Sequence, residues 1–226
     1  MNPKKIAVVL SGCGFLDGSE ITEAVSSFIA ISEAGASITC FAPNLEFSAI
    51  SHYKSTPSFE SSVAQTAERR NILNESARIA RGEIHDIAKL REKDFDGLVF
   101  PGGFGAAIHL SNWGSAGAKA VVLPEIIRVI REFHTASKPM GFICIAPTLA
   151  AKILGHEGVN LTIGDDPSTA AEIEKTGAHH VKCPVEDYVS DRDHKILSTP
   201  AYMYEAKPHQ VLTGISKMMR ELIEMA

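Results

Sequence analysis

The run Ile6-Ala7-Val8-Val9-Leu10 is apolar at every position, rich in β-branched residues, and ends at Ser11-Gly12. A strand covered on both faces, as in a parallel sheet, has this pattern. From Gly18 or Ser19 onward, Ile21, Val25, Phe28, Ile29 and Ile31 follow helical spacing, and Gly35 supplies a C-terminal stop. Ile38 to Phe41 predicts a second strand, closed by Pro43-Asn44. These segments read as one β-α-β unit, and a right-handed crossover makes its strands parallel neighbours.

The pattern is less regular over residues 44–95. Val63 to Ala80 predicts a helix with a charged face of Glu68, Arg69, Arg70, Glu75 and Arg78, continued by Arg81. Such a face is either solvated or belongs to an element that partly covers a site. Gly97-Leu98-Val99-Phe100 resumes the sheet, Pro124 to His134 predicts an amphipathic helix, and Pro139 to Ile143 predicts another buried strand. Pro147 to Leu154 predicts a helix with proline in its first turn. Short segments follow near Leu161-Thr162-Ile163, Val181, Tyr188-Val189 and Ile196-Leu197-Ser198, before a closing helix from about Glu205 or Pro208 to Glu224. The expected fold class is α/β: an open, mostly parallel sheet with helices on both faces. Residues 1–226 read as one domain with an insertion at about 44–95.

Composition narrows the function classes. Of 226 residues 45% are apolar and 22% charged, which excludes a disordered or collagen-like chain. A net charge of −5, with no basic tail or polybasic run, argues against nucleic-acid and anionic-membrane binding. No apolar run approaches the roughly 20 residues of a bilayer helix. Met1-Asn2-Pro3-Lys4-Lys5 leads straight into a strand rather than a signal peptide, so a cytoplasmic protein is expected. Cys13, Cys40, Cys144 and Cys183 form no Cys-x-x-Cys pair and suggest no disulfide framework.

In open parallel sheets, ligands bind beyond the carboxyl ends of the strands, and three predicted strand ends carry unusual residues. Ser11-Gly12-Cys13-Gly14-Phe15-Leu16-Asp17-Gly18 resembles a dinucleotide fingerprint, but its glycine spacing is wrong and no acid closes the second strand, so a nicotinamide cofactor is not expected. Pro101-Gly102-Gly103-Phe104-Gly105 either satisfies turn geometry or presents a backbone N–H to an oxyanion. Gly141-Phe142-Ile143-Cys144-Ile145-Ala146-Pro147 reads as a strand–nucleophile–helix elbow with Cys144 as the nucleophile. A helix N-terminus there is expected to lower the thiol pKa. Small residues flank such an elbow; Ala146 complies and Phe142 does not. A proton acceptor is offered by Glu20 and Glu23, three residues apart and so on one helix face. His179-His180 is a poor metal pair, because adjacent strand residues point to opposite faces. Neither a metal nor an organic cofactor is expected.

These motifs, with Asp17-Gly18-Ser19-Glu20, Val99-Phe100-Pro101-Gly102-Gly103-Phe104-Gly105-Ala106-Ala107 and Ser198-Thr199-Pro200-Ala201-Tyr202-Met203, resemble the PfpI-type superfamily of class I glutamine-amidotransferase-like proteins. That superfamily includes the Parkinson's-linked deglycase/chaperone, and the match is closest to its ElbB branch (enhancing lycopene biosynthesis protein, or sigma cross-reacting protein). The resemblance spans essentially the whole chain and implies a flavodoxin-like fold with Cys144 as the reactive elbow cysteine. It places the thiol-bonding glutamate within Gly18-Ser19-Glu20-Ile21-Thr22-Glu23-Ala24-Val25. Glu23 is favoured by its distance to Gly35, with Glu20 as the neighbouring carboxylate. Gly103 and Ile145 match the oxyanion positions. Many relatives carry a His where this chain has Gly164, which argues against Cys–His amidotransferase or protease chemistry.

The resemblance implies a glutathione-independent glyoxalase-like lyase, converting glyoxal to glycolate through a Cys144 hemithioacetal, with a deglycase as a variant of the same chemistry. The partner is then a small aldehyde, with no nucleic acid or membrane, and relatives are often homodimers. The alternatives are a non-enzymatic thiol redox sensor or chaperone-like module and, third, an amidotransferase-like subunit.

Overall fold

The computed structural model describes residues 3–52 and 65–226. Strand β1 (Lys5–Val9) leads through a glycine-rich loop into α1 (Ile21–Glu33) and β2 (Ser37–Ala42). Next come β3 (Glu46–Ile50), β4 (Gln65–Asn71), α2 (Ile72–Ile79) and β5 (Ile84–Asp86). β6 (Gly97–Phe100) precedes α3 (Phe104–Ile108), α4 (Trp113–Ala116) and α5 (Pro124–Thr135), and β7 (Met140–Ile143) runs into α6 (Pro147–Leu154). The chain continues through β8 (Asn160–Leu161), α7 (Pro167–Glu174), β9 (His179–His180), β10 (Val189–Asp191), β11 (Ile196–Thr199) and α8 (Pro208–Met225).

Seven strands form one sheet in the order β10-β11-β7-β6-β1-β2-β5, parallel throughout except for β10 against β11. This is the flavodoxin-like α/β architecture. The unbroken apolar run of β1 follows from its central place. Ala7 and Val9 join a core with Leu98 and Phe100 and with Ile126, Val129 and Phe133 of α5. Ile6 and Val8 turn the other way, into a core with Val99 and with Ile215, Met218 and Leu222 of α8. A side-chain period of two makes both faces apolar only when helices cover both. Among the described residues no helix is long and apolar enough to cross a membrane.

Two elements differ from the sequence pattern. In α1 the buried residues are Glu23, Ala24, Ser26, Ser27, Ala30 and Ile31, whereas Ile21, Val25 and Ile29 are 48%, 40% and 43% exposed. α1 packs along α8, and it does so mainly through small side chains, which leaves the larger apolar stripe on its outer side. The helix expected over Val63–Ala80 exists only from Ile72; residues 63 and 64 lie outside the described residues. Gln65–Asn71 is instead a strand, antiparallel to β3 with Phe47 opposite Arg70. Asn71 ends it and caps α2 by accepting the Asn74 N–H at 3.1 Å. Cross-strand pairing overrides the local helical spacing here. The β3–β4 pair docks on the glycine-rich loop after β1: Ile50 N–H donates to the buried Asp17 carboxylate (2.6 Å), and Leu16 N–H donates to His52 Nε2 (3.2 Å).

Candidate active site

Four polypeptide segments meet at the carboxyl ends of β1, β6, β7 and β11. At the end of β7, Cys144 adopts φ +61°, the left-handed conformation that a non-glycine residue rarely occupies. Its N–H donates to Thr199 O of the neighbouring strand end (2.9 Å), and Ala146 N–H donates back to Ile143 O (2.9 Å) before α6 begins at Pro147. These bonds hold the strained turn and aim the thiol away from the sheet. Phe142, the departure from a small-residue elbow, is buried and stacked on Phe100 (centroids 5.3 Å, planes 1° apart). The neighbouring strand therefore accommodates its bulk.

Glu23 lies in the first turn of α1 and is fully buried. Its Oε2 accepts the Gly102 N–H (3.0 Å), its Oε1 accepts the Tyr202 N–H (3.2 Å), and the carboxyl group also hydrogen-bonds the Cys144 thiol. Glu20 has a different place. It is the N-cap of α1, where its Oε2 accepts the Glu23 N–H (2.7 Å) while its own N–H donates to Gly102 O (2.9 Å). Gly102 thus uses both backbone groups to seat the start of α1. It has no room for a side chain: a Cβ there would lie 2.4 Å from the Cys144 Cβ and 2.6 Å from Glu23 Oε2. Gly103, at φ +93°, and Ile145 each direct a backbone N–H to the Cys144 sulfur. The five residues singled out from the sequence, Cys144, Glu23, Glu20, Gly103 and Ile145, are therefore brought together.

The electrostatics follow from burial. Desolvation, reinforced by the Glu20 charge, pushes the Glu23 carboxyl up to about 8, although its backbone hydrogen bonds favour the ionised form. Burial and the facing Glu23 carboxyl also raise the Cys144 thiol well above its ordinary value, against the N–H groups of Gly103 and Ile145, which favour thiolate. The lowered thiol pKa expected from a helix terminus is thus overturned: Cys144 precedes the first residue of α6 by three positions, and desolvation dominates. Cys40 and Cys183 are buried and raised to about 11, chiefly by desolvation. Cys13 is half-buried and raised by burial and by Glu75.

Cys144, Glu20, Gly103 and Ile145 face a cavity of about 720 Å³. Glu23 sits behind the thiol rather than in the cavity wall. No described residue of the 44–95 segment lines the cavity, and none of the described lining residues is histidine. Gly164, at φ +94°, lies where a Cβ would come within 3.0 Å of the Tyr204 ring. A histidine at that position would be strained and crowded. No group of three or more His, Cys, Asp or Glu among the described residues could hold a metal ion.

Two contributors were not assigned from the sequence, Gly102 and the backbone of Tyr202. Gly102 belongs to the Pro101–Gly105 motif, yet only the structure shows that its missing Cβ makes room for the side chains of Cys144 and Glu23. Tyr202 acts through its N–H, following Ala201 at φ +44°. A main-chain donor leaves no side-chain signal in a sequence.

No family model matches the chain. The human glutamine amidotransferase-like class 1 domain-containing protein 3, mitochondrial, is 43% identical over 232 residues, covering 98% of this chain and 83% of that protein. Its name sets it in mitochondria, unlike the cytoplasmic setting expected here. An isoprenoid biosynthesis protein with an amidotransferase-like domain from Ehrlichia chaffeensis superimposes with a TM-score of 0.88 at 38% identity, covering 98% of this chain and 99% of that one. DJ-1beta of Drosophila melanogaster shares the fold at a TM-score of 0.53 and 17% identity, over 98% of this chain and 94% of that one. The chain belongs to the family of glutamine amidotransferase-like class 1 domain proteins, built on the DJ-1/ThiJ/PfpI fold.

Proposed function

We propose that the protein is a cofactor-independent, glyoxalase-like enzyme acting on a 1,2-dicarbonyl compound, with glyoxal as the simplest substrate and glycolate as its product. The observation that carries this reading is the buried hydrogen bond between Glu23 and Cys144 beside two N–H groups aimed at one point. As the carbonyl approaches, Glu23 takes the thiol proton and Sγ bonds to the aldehyde carbon as its C=O π bond opens. Glu23 passes that proton to the former carbonyl oxygen, which leaves Glu23 a free carboxylate. The N–H groups of Gly103 and Ile145 stabilise the oxygen that gains charge. The new hemithioacetal carbon, which bears the hydrogen to be moved, lies one bond from the sulfur that Glu23 contacts. Glu23 carries that hydrogen as a proton to the second carbon, while the hydroxyl proton of the hemithioacetal passes to the second oxygen. One carbon is oxidised to a thioester and the other reduced to a carbinol, so no external oxidant enters. Water then releases the hydroxy acid and restores the thiol.

The absence of histidine from the described cavity wall supports this reading over Cys–His amidotransferase chemistry. Incubation with glyoxal, with glycolate followed by NMR and the acyl adduct on the Cys144 peptide by mass spectrometry, tests it. Product without any adduct at Cys144 would remove the covalent mechanism. The same hydrogen bond also supports a redox-sensor reading, because a protonated Glu23 can donate to an oxidised Cys144 sulfur. Selective peroxide oxidation of Cys144 in a protein inert to dicarbonyls would favour that alternative.

A further inference from the structure

A two-carbon dialdehyde occupies little of a cavity of about 720 Å³. At about 30 Å³ for each water, that space matches roughly two dozen solvent molecules, and it lies in the range of pockets that enclose drug-sized ligands. Its wall has a definite character. Phe15, Phe104, Trp113 and Tyr202 contribute to it from four separate segments of the chain. The charged side chains among its described lining residues are Glu20 and Glu172, with no Lys, Arg or His. Glu172 is held at the wall by the Ala118 N–H (2.9 Å) and is paired with Lys175.

We propose that the substrate of this site is a 1,2-dicarbonyl compound with an aromatic or comparably flat apolar body and no anionic group. The aromatic wall recovers apolar area when such a body is seated. A phosphate or carboxylate would meet Glu20 with no side-chain cation in the lining to balance it. The reacting end is held by Cys144 and the N–H groups of Gly103 and Ile145, so the body extends into the remaining volume towards Trp113. This inference rests on the Cys144 chemistry proposed above for turnover, but not for binding. With phenylglyoxal as the probe, Sγ adds to the aldehyde carbon and the hydrogen on that carbon moves as a proton to the ketone carbon. Water cleaves the resulting thioester to mandelate and free thiol. The aldehyde carbon is oxidised and the ketone carbon reduced, so the step balances internally.

Two readouts on the wild-type protein test the inference. Trp113 is the only tryptophan of the chain, so its fluorescence reports occupancy without chemistry. Acetophenone should bind at least about tenfold more tightly than acetone and than benzoylformate, with a shift in Trp113 emission. In turnover, kcat/KM for phenylglyoxal should exceed that for glyoxal by about tenfold or more. The ratio should narrow in Trp113→Leu, and the retained melting transition of that variant would show that it folds. Acetophenone binding no better than acetone, benzoylformate binding as well as acetophenone, or glyoxal as the better substrate would each overturn the inference. Acetophenone binding at Trp113 with neither dicarbonyl turned over would support the ligand class and instead remove the proposed reaction.

Discussion

The carboxyl of Glu23 and the thiol of Cys144 hydrogen-bond to each other where Glu23 is fully buried and Cys144 is 8% exposed. Neither can ionise without charging a dry site; Glu23 raises the proton affinity of the thiol, while burial and the Glu20 charge raise that of Glu23 against the hydrogen bond from the thiol. At neutral pH the pair therefore holds protons that exposed carboxyl and thiol groups would share differently. With Glu23 raised to about 8, activity should rise with pH through an inflection near 8. A pH profile of kcat/KM already flat from pH 6 upward would contradict this.

Glu20 sets where that inflection lies. Its charge is the second cause of the Glu23 shift, after desolvation. Glu20→Gln should move the inflection to lower pH while reducing maximal turnover far less than a change at Glu23. The cost should be mainly to the helix cap, about 1 kcal/mol of stability. If Glu20→Gln abolished turnover and Glu23→Gln were benign, the roles would be exchanged by one helical turn.

Glu23→Gln should separate stability from activity. A raised carboxyl pKa contributes stability that is full below the unfolded value of 4.5 and is lost as pH rises to about 8. For a fully buried group the cost at alkaline pH is on the order of 5 kcal/mol. Gln removes it, at the expense of mispairing one of the Gly102 and Tyr202 N–H donors. The melting temperature of the variant relative to wild type should therefore climb by several degrees between pH 5 and pH 8.5, at roughly 2–4 °C per kcal/mol. A constant difference across that range would show that Glu23 is not buried as an acid. The same variant should form its Cys144 thiolate at lower pH, because Glu23 raises the thiol by both charge and hydrogen bonding.

Gly102→Ala tests the close approach. The added methyl would lie 2.4 Å from the Cys144 Cβ and 2.8 Å from Ile143 O, both parts of the rigid elbow. Overpacking of this kind costs about 1–3 kcal/mol, and a displaced thiol should lower turnover about 100-fold. Gly35→Ala is the control: Gly35 lies at positive φ, +75°, but no atom lies within 4 Å of the new methyl. It should lose stability only and keep its activity.

Much of this was legible in the sequence, for identifiable reasons. The β1 run and the Ile143–Pro147 turn are local patterns, and each specifies its own conformation. The choice of Glu23 over Glu20 depended on register within one helix, and α1 starts at Ile21 with Glu20 as its cap. Non-local pairing was not legible. Gln65–Asn71 follows a helical pattern yet is drawn into a hairpin by β3, and Ile21, Val25 and Ile29 face outward because α8 packs on the smaller residues. The thiol pKa rises where the local pattern predicts a fall, because burial is a tertiary quantity. The sequence shows the helix terminus near Cys144, but not the desolvation or the buried Glu23 that outweighs it.

The most direct test compares hydroxy-acid formation from a 1,2-dicarbonyl by wild type, Cys144→Ser and Glu23→Gln at pH 8, with folding of each verified by its melting transition. A general base contributes about 10²–10⁴-fold. Glu23→Gln should therefore fall by at least 100-fold, and Cys144→Ser to the uncatalysed rate. Wild-type rates in either folded variant would contradict the assignment of these two side chains as the reacting pair.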